Sequence, residues 1–252
     1  MTSTWSKTRR RHLTVIRGVD EEELPKALHL TKNSKTGFSV DFAIHLTCRP
    51  TRVCMGDGPD SAGCYALAGF MTYPNAVKHQ ARNQRLMDYL ATSSPREVLR
   101  VAQALWSALP RGQDWLRWNG AGDLTPGACR LINCLTSRFP SLILWVISRK
   151  SDMVVKLKDR KSLRLLVSLD HSTPEKTAAR LREVCGRFRV GKARVSYTRT
   201  SEEDKPPRDA WVVFNKHQGG NFNDWPHKHV CPASLPDTKH EGACDECRRC
   251  FK

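Results

Sequence analysis

Six short runs of apolar and β-branched residues recur along the chain, and each is followed by a polar turn and a helical pattern. The runs are Phe38–Leu46, Trp115–Asn119, Leu142–Ser148, Leu163–Leu169, Ala193–Thr198 and Ala210–Phe214. The third run is apolar on both faces, as is typical of a strand in a parallel sheet that helices cover. Alternating strands and helices predict a right-handed βαβ winding, in either an open doubly wound sheet or a partial or full barrel.

The intervening helices carry recognisable start signals. Ser94, Pro95 and Glu97 match an N-cap serine, a proline in the first turn and a glutamate three residues after the cap. Apolar residues then repeat on one face, which predicts a helix over Pro95–Leu109. Three further helices are predicted to begin at Pro74, at Thr125-Pro126 and at Thr173-Pro174.

The charge of the chain is strongly positive. Lys and Arg number 42 against 25 Asp and Glu, which gives a formal net charge of +17. Such an excess attracts polyanions, so nucleic acid is the leading candidate partner, with a merely basic soluble surface as the alternative. No apolar stretch reaches membrane-spanning length, and the polar start Thr2–His12 has no apolar region behind it to make a signal peptide. These features predict a cytoplasmic protein without a membrane partner.

The chain contains 10 cysteines, and without an export signal they are expected to stay reduced. Metal ligation is therefore the better account of them. Cys244, Cys247 and Cys250 follow each other at two-residue spacing, with Cys231 upstream as a fourth ligand. This pattern favours a [4Fe–4S] cluster, and a Cys₄ zinc site is the competing interpretation.

A second group, Cys48, Cys54 and Cys64, lies in the polar loop after the first run. Three thiolate ligands with an open fourth position would suit a cluster that binds a small molecule, whereas the alternative is three buried thiols. The other three cysteines fall in predicted helices and are interpreted as structural. They are Cys129, Cys134 and Cys185.

In parallel α/β folds the site lies at the carboxyl ends of the strands. Four basic residues follow predicted strands, and we expect them to form a rim that holds nucleic-acid phosphates. They are Arg149, Lys150, Arg199 and Lys216. Arg9, Arg10 and Arg11 are expected to contribute from a basic N-terminal arm. Trp211, Phe222 and Trp225 are candidates for base stacking, although Trp211 falls in a strand and is more typical of a core residue.

Five short motifs occur in a specific order. They are Cys64-Tyr65-Ala66, Gly120–Leu124, Leu144–Arg149, Val167–Asp170 and Cys231-Pro232-Ala233. With them, residues 37–252 resemble the gene product 88 family of phages and plasmids. That family is in turn distantly similar to radical S-adenosylmethionine proteins, so the resemblance implies a partial (βα)₆ barrel with a cluster-binding cysteine loop after its first strand.

The same resemblance implies a cofactor role for Gly120, Gly122 and Asp123, which are similar to the motif that holds the amino group of S-adenosylmethionine. The cysteine loop departs from the radical pattern. Radical enzymes of this kind space their three cysteines by three and two residues, whereas this loop has five and nine. This departure counts against S-adenosylmethionine chemistry. It does not count against binding of a cluster by the loop.

The expected organisation is a basic arm over residues 1–36, a barrel-like parallel α/β domain over 37–218 and a cysteine-rich tail over 219–252 packed on that domain. The expected function is a mobile-element iron–sulfur protein that binds DNA or RNA, with one or two clusters in a structural or redox-sensing role. The alternatives are a radical S-adenosylmethionine-like enzyme that uses the Cys48/Cys54/Cys64 loop and a zinc-stapled interaction protein.

Overall fold

The computed structural model describes residues 4–20, 22–33, 37–56, 63–67, 69–201, 203–215, 230–231, 244 and 247–250. Within these residues, seven strands form one sheet in which the strand order equals the chain order. The strands are β1 (Leu30–Asn33), β2 (Gly37–Val40), β3 (Trp115–Trp118), β4 (Ile143–Ser148), β5 (Leu163–Leu169), β6 (Lys192–Arg199) and β7 (Ala210–Asn215). β1 pairs with β2 in the antiparallel sense, and every later pair is parallel.

Helices alternate with these strands. They are α1 (Thr4–Asp20), α2 (Ile44–Thr47), α3 (Arg52–Met55), α4 (Pro74–Thr92), α5 (Pro95–Ala108), α6 (Pro126–Arg138), α7 (Ser151–Val154) and α8 (Glu175–Arg187), with short 3₁₀ turns at Tyr65–Leu67 and Gly69–Thr72. The predicted start signals are confirmed at two helices. Ser94 Oγ accepts a hydrogen bond from the Glu97 amide at 3.2 Å, and Thr125 Oγ1 accepts one from the Ala128 amide at 3.4 Å.

The alternation of strands and helices is confirmed, and the doubly wound alternative is wrong, because the strand order contains no reversal. When each right-handed crossover leads to the next strand in the same direction, all the crossover helices fall on one face of the sheet. Side chains such as Trp118, Val146 and Val167 accordingly join residues of α4, α5, α6, α7 and α8 in the main core.

The first predicted strand is too long. β2 ends at Val40, and the residues Ile44–Thr47 of the predicted run form the helical turn α2 instead. The Asp41 carboxylate causes this exit, since its Oδ1 accepts a hydrogen bond from the Ala121 amide at 2.9 Å while the Phe42 amide donates to the Ala121 carbonyl at 3.0 Å. These bonds join the chain to the loop after β3 and end the strand.

Much of the predicted basic N-terminal arm is a packed helix. Residues 4–20 form α1, whose Ile16 and Val19 are buried in a cluster with Val77 and Ala81 of α4. The apolar residues of α1 recur at helical spacing, so one face packs while the basic residues occupy the other. The following strand β1 extends the sheet by pairing with β2.

The face of the sheet opposite the helices carries a second apolar cluster. Trp115, Trp145, Leu166 and Val212 form it, and cysteines of the C-terminal tail pack against it. Side chains alternate between the two faces along each strand, which is why Trp115 and Trp118 belong to different clusters. No helix within the described residues has the length and apolar character needed to cross a membrane.

Candidate metal centres

Cys48, Cys54 and Cys64, the loop cysteine group, follow β2 as predicted. Cys48 caps the C-terminus of α2, Cys54 lies in α3, and Cys64 precedes a 3₁₀ turn. Thr51 starts α3 by accepting a hydrogen bond from the Cys54 amide at 3.3 Å. Cys48 and Cys64 pack against one small apolar cluster that includes Ala121 of the loop after β3. The fold therefore brings this group to the carboxyl ends of β2 and β3.

The three thiols of the loop cysteine group lie within electrostatic range of each other. Burial raises the pKa of Cys48 well above its usual value, and the charges of Asp123, Cys64 and Cys54 raise it further. Burial and the charge of Cys54 raise the pKa of Cys64 to about 11. Positive charge stabilises thiolates held together in this way; Arg149 supplies some of it, since its charge lowers the pKa of Cys64, and a bound metal would supply more.

An ion pair fixes the cysteine loop to the ends of β4 and β5. Arg149 Nη1 donates to Asp170 Oδ2, and Thr51 Oγ1 donates to the same oxygen at 2.7 Å. Burial lowers the pKa of Arg149, but the charges of Cys54 and Asp170 raise it by more, so the net shift is upward. Arg149 is therefore an internal cation beside Cys54. The sequence predicted Arg149 on the same rim as this loop, as a phosphate-binding residue, but it did not predict the pairing of Arg149 with Asp170.

The glycine-rich loop after β3 packs directly beside the loop cysteine group. Asn119 and Gly122 have positive φ angles of 62° and 80°. A Cβ at Gly120 would lie 2.2 Å from Asp41 Oδ1, so close packing within the protein requires a glycine there. The Asp123 amide donates to Thr47 Oγ1 at 2.9 Å, which ties this loop to the residue before Cys48.

The Asp123 carboxylate is buried and saturated with hydrogen bonds. It accepts from Ser148 Oγ at 2.6 Å, from the Leu124 amide at 2.7 Å and from the Arg149 amide at 3.3 Å. Burial raises its pKa, while these donors oppose the rise. Its structural role is thus to join the ends of β3 and β4. The cofactor role of Gly120, Gly122 and Asp123 stays a prediction.

The tail cysteine group consists of Cys231, Cys244, Cys247 and Cys250. Three of these, Cys231, Cys244 and Cys250, pack on the sheet face opposite the helices. Cys231 follows an isolated bridge between Val213 and Val230, and its amide donates to the Val213 carbonyl at 2.8 Å. Burial raises the pKa of Cys250, the charges of Cys231, Cys244 and Cys247 raise it further, and Arg117 lowers it. The four cysteines that the spacing grouped are therefore together in the fold.

The residues around the tail cysteine group anchor it to the sheet. Arg249 Nη1 donates to the Val230 carbonyl at 3.1 Å, and Trp211 Nε1 donates to the Arg249 carbonyl at 3.2 Å. Arg248 Nη1 lies 3.4 Å from Asp114 Oδ2. Sequence reasoning had not found these anchors. Asp114 and Trp211 lie at the amino ends of β3 and β7, and nothing in the local pattern connects them to the tail.

The donor chemistry of both groups fits an iron–sulfur cluster or zinc, since both are bound by cysteine thiolates. Their geometry is less complete, because no set of three or more His, Cys, Asp or Glu side chains among the described residues is arranged to hold a metal ion.

The remaining cysteines are in helices, as predicted. Cys129 and Cys134 lie in α6 and Cys185 in α8, and burial raises the pKa of Cys129 to about 12.

The basic residues expected to form a rim are mostly internal. Lys150 Nζ donates to the Leu124 carbonyl at 2.7 Å and to the Thr47 carbonyl at 3.3 Å. Arg199 is 1% exposed, and its Nε donates to the Ser201 and Asp204 carbonyls. With Arg149 paired to Asp170, these three side chains do not form the cationic rim that their positions in the sequence suggested.

Other predicted nucleic-acid residues have different outcomes. Arg9, Arg10 and Arg11 are exposed on α1. Lys216, Phe222 and Trp225 lie outside the described residues. Trp211 was expected in the core but is 40% exposed near the start of β7.

These features define an α/β protein with a mostly parallel sheet and two cysteine groups. One group lies at the carboxyl ends of the strands, and the other lies on the sheet face opposite the helices. The family model described as Gene product 88 matches residues 6–252, so the chain belongs to that family. No curated protein matches the chain, and no solved structure does.

Proposed function

We propose that the protein is a cytoplasmic iron–sulfur protein of phages and plasmids that binds nucleic acid, with its clusters in a structural or redox-sensing role. The observation that carries this proposal is the gathering of seven cysteines into two groups. In each group the charge of one cysteine raises the pKa of another, as Cys54 does for Cys64 and Cys231 does for Cys250. Thiolates crowded in this way are the usual ligands of iron–sulfur clusters.

Iron–sulfur binding is favoured over zinc by the spacing in the tail. Cys244, Cys247 and Cys250 are evenly spaced, whereas structural zinc sites more often combine two separated pairs of cysteines. A bound cluster would supply one-electron redox chemistry and, in the loop cysteine group, an iron position without a protein thiolate.

The fold supports the same proposal at a finer level. Six parallel strands in chain order, with all crossover helices on one face, are the arrangement that a partial (βα)₆ barrel requires. We propose that the sheet curves in this way, with the tail cysteine group covering its inner face. Nucleic-acid binding is supported by the net charge of +17 and by the exposed arginines of α1.

A second function, a radical S-adenosylmethionine-like enzyme, is favoured by one observation. The loop cysteine group lies beside the glycine-rich loop, with Cys48, Cys64 and Ala121 in one cluster. Three cysteines at the carboxyl ends of parallel strands would leave one iron open to a small ligand. In this protein the space beside Gly120 and Gly122 is filled by protein atoms, which favours the first function.

Iron and sulfide quantification on anaerobically purified full-length protein, with Mössbauer spectroscopy, tests the iron–sulfur proposal. Two variants replace the loop or the tail cysteine group by serine, and each is expected to lose one cluster's share of iron and sulfide. Cys134→Ser, a half-buried helical cysteine outside both groups, is the control and is expected to retain both. Colourless protein with stoichiometric zinc would overturn the iron–sulfur proposal. Reductive cleavage of S-adenosylmethionine that is lost on Cys48→Ala would favour the second function.

A further inference from the structure

Three basic residues lie against each other near the amino ends of β5 and β6. Arg164 is the direct neighbour of Lys192 across the two parallel strands, and Leu166 is the neighbour of Arg194 two residues further on. Burial and then the charges of Arg164 and Arg194 lower the pKa of Lys192. Burial and the charge of Arg164 likewise lower the pKa of Arg194. The three cations therefore repel each other in the folded protein.

Repulsion between Lys192 and its cationic neighbours has a cost in stability, whereas the Arg164 guanidinium has partners of its own, among them the Lys161 and Leu163 carbonyls. Like charges directly opposite each other on neighbouring strands destabilise a sheet. In the described part of the chain, Lys192 and Arg194 form no ion pair with a carboxylate. A cluster of this kind is explained when an external anion is its partner, since functional sites commonly trade stability for binding.

An exposed aromatic ring adjoins the basic cluster. The Arg194 guanidinium lies 3.5 Å from the ring centroid of Trp211, which is 40% exposed near the start of β7. The bond from Trp211 Nε1 to the Arg249 carbonyl fixes the position of the ring. A large aromatic side chain beside cations can stack on a nucleic-acid base. Because the ring is already held in position, binding costs less conformational entropy.

The loops before β5 and β6 bring further positive charge to the same end of the sheet. Asp159 joins these loops, since its carboxylate accepts from the Arg189 amide at 2.6 Å, the Val190 amide at 2.9 Å and the Gly191 amide at 2.5 Å. The exposed Lys161 lies in the first loop, two residues after Asp159. The one carboxylate of these loops, that of Asp159, is thus hydrogen-bonded to backbone amides. The basic side chains of the loops face solvent.

We propose that this surface, the amino-end patch of Lys161, Arg164, Lys192, Arg194 and Trp211, binds single-stranded nucleic acid. The cations contact phosphates, and Trp211 stacks on a base. A single strand is inferred because a tryptophan can stack on a base only when that base is not already stacked in a duplex. The inference rests on the proposed nucleic-acid function and assigns it a surface at the opposite end of the strands from the loop cysteine group.

Fluorescence anisotropy with a labelled single-stranded oligothymidylate, at several salt concentrations, tests the inference on full-length protein. The double variant Lys192→Glu/Arg194→Glu is expected to lose at least about tenfold in affinity and to reduce the salt dependence by about two phosphate contacts. Trp211→Ala is expected to lose about tenfold for the single strand and little for a duplex, with Trp211→Phe retaining most of the affinity. The control Lys26→Glu/Arg96→Glu changes the net charge equally at exposed positions elsewhere and is expected to have a small effect.

The outcomes separate the inference from the proposed function. If the wild-type protein binds neither single-stranded nor duplex nucleic acid at low salt, the nucleic-acid function and the inference both fail. If it binds but the patch and control variants weaken binding equally, only the patch is overturned. A duplex bound as tightly and unaffected by Trp211→Ala overturns the single-strand assignment, and equal binding of polyglutamate points to an acidic protein partner instead. Should the charge reversal fail to fold by thermal melting, Lys192→Gln/Arg194→Gln replaces it.

Discussion

At the carboxyl ends of the strands, Arg149 and Arg199 lie inside the protein with carboxylate or carbonyl partners. At the amino ends, Lys192 and Arg194 lie beside each other, and Arg194 stacks on an exposed tryptophan. Arg199 of the first set and both residues of the second set belong to one strand, β6. The difference teaches that a run of positive charge identifies neither an interface nor an internal ion pair until the partners of each side chain are known.

Loss of the ion pair between Arg149 and Asp170, at the carboxyl ends of the strands, is expected to have the largest effect on stability. Arg149→Met should destabilise the protein by about 3–5 kcal/mol, because it leaves the fully buried Asp170 carboxylate without its cation. Arg49→Met removes the cation of an exposed pair with Asp152 and should cost at most about 1 kcal/mol. Urea unfolding measures both values. Equal losses in the two variants would contradict the internal role of Arg149.

Acid should weaken the packing of α1 against the carboxyl end of the sheet. Burial and the charges of His12 and Arg9 lower the pKa of His45 from 6.5 to about 4. Below pH 6.5 the unfolded chain takes up a proton that the folded protein resists, so stability present at neutral pH is lost as the pH falls toward 4. The loss from this group between pH 7.5 and pH 5 is about 2 kcal/mol.

The measurement for His45 is the free energy of urea unfolding at both pH values, in wild type and in His45→Asn. The variant should lose less stability on acidification than wild type, by the contribution of this one group. An identical pH dependence in the two proteins would show that His45 is protonated as easily in the folded state as in the unfolded chain.

The glycine-rich loop should tolerate no side chain at Gly120. Gly120→Ala is expected to destabilise the protein by about 1–3 kcal/mol, because its Cβ would overlap the Asp41 carboxylate. Gly186→Ala in α8 has open space around its Cβ and should stabilise the helix by up to about 1 kcal/mol. Thermal melting of both variants decides the matter. A neutral Gly120→Ala would mean that the loop can move away from β2.

The smallest effect belongs to the amino ends and has the opposite sign. Lys192→Gln should stabilise the protein by a few tenths of a kcal/mol, because it removes a repulsion with Arg164 across the strands. The same variant should weaken binding to single-stranded nucleic acid. Unfolding and anisotropy measurements on one preparation check both directions, and a loss of stability would contradict net repulsion between Lys192 and Arg164.

Local signals in the sequence predicted the strands β3–β7 and the starts of α4, α5 and α6. Each depends on neighbouring residues, as in the cap that Ser94 provides to Glu97. The end of β2 could not be predicted in this way, because it depends on a bond from Asp41 to Ala121, 80 residues away. The two cysteine groups were predicted as sets, while their locations on the sheet depend on which strand each loop follows.

The sequence by itself determined the alternation of strands and helices, the grouping of the cysteines and the excess of positive charge, because periodicity, spacing and composition are local properties. Only the tertiary structure decided which charged side chains are buried and paired inside the protein. Arg199 is buried and Trp211 is exposed, the reverse of what their residue types suggest. The reason is physical: the free energy of a buried cation or an exposed ring is set by partners such as Asp204 and Arg194, which the fold alone brings near.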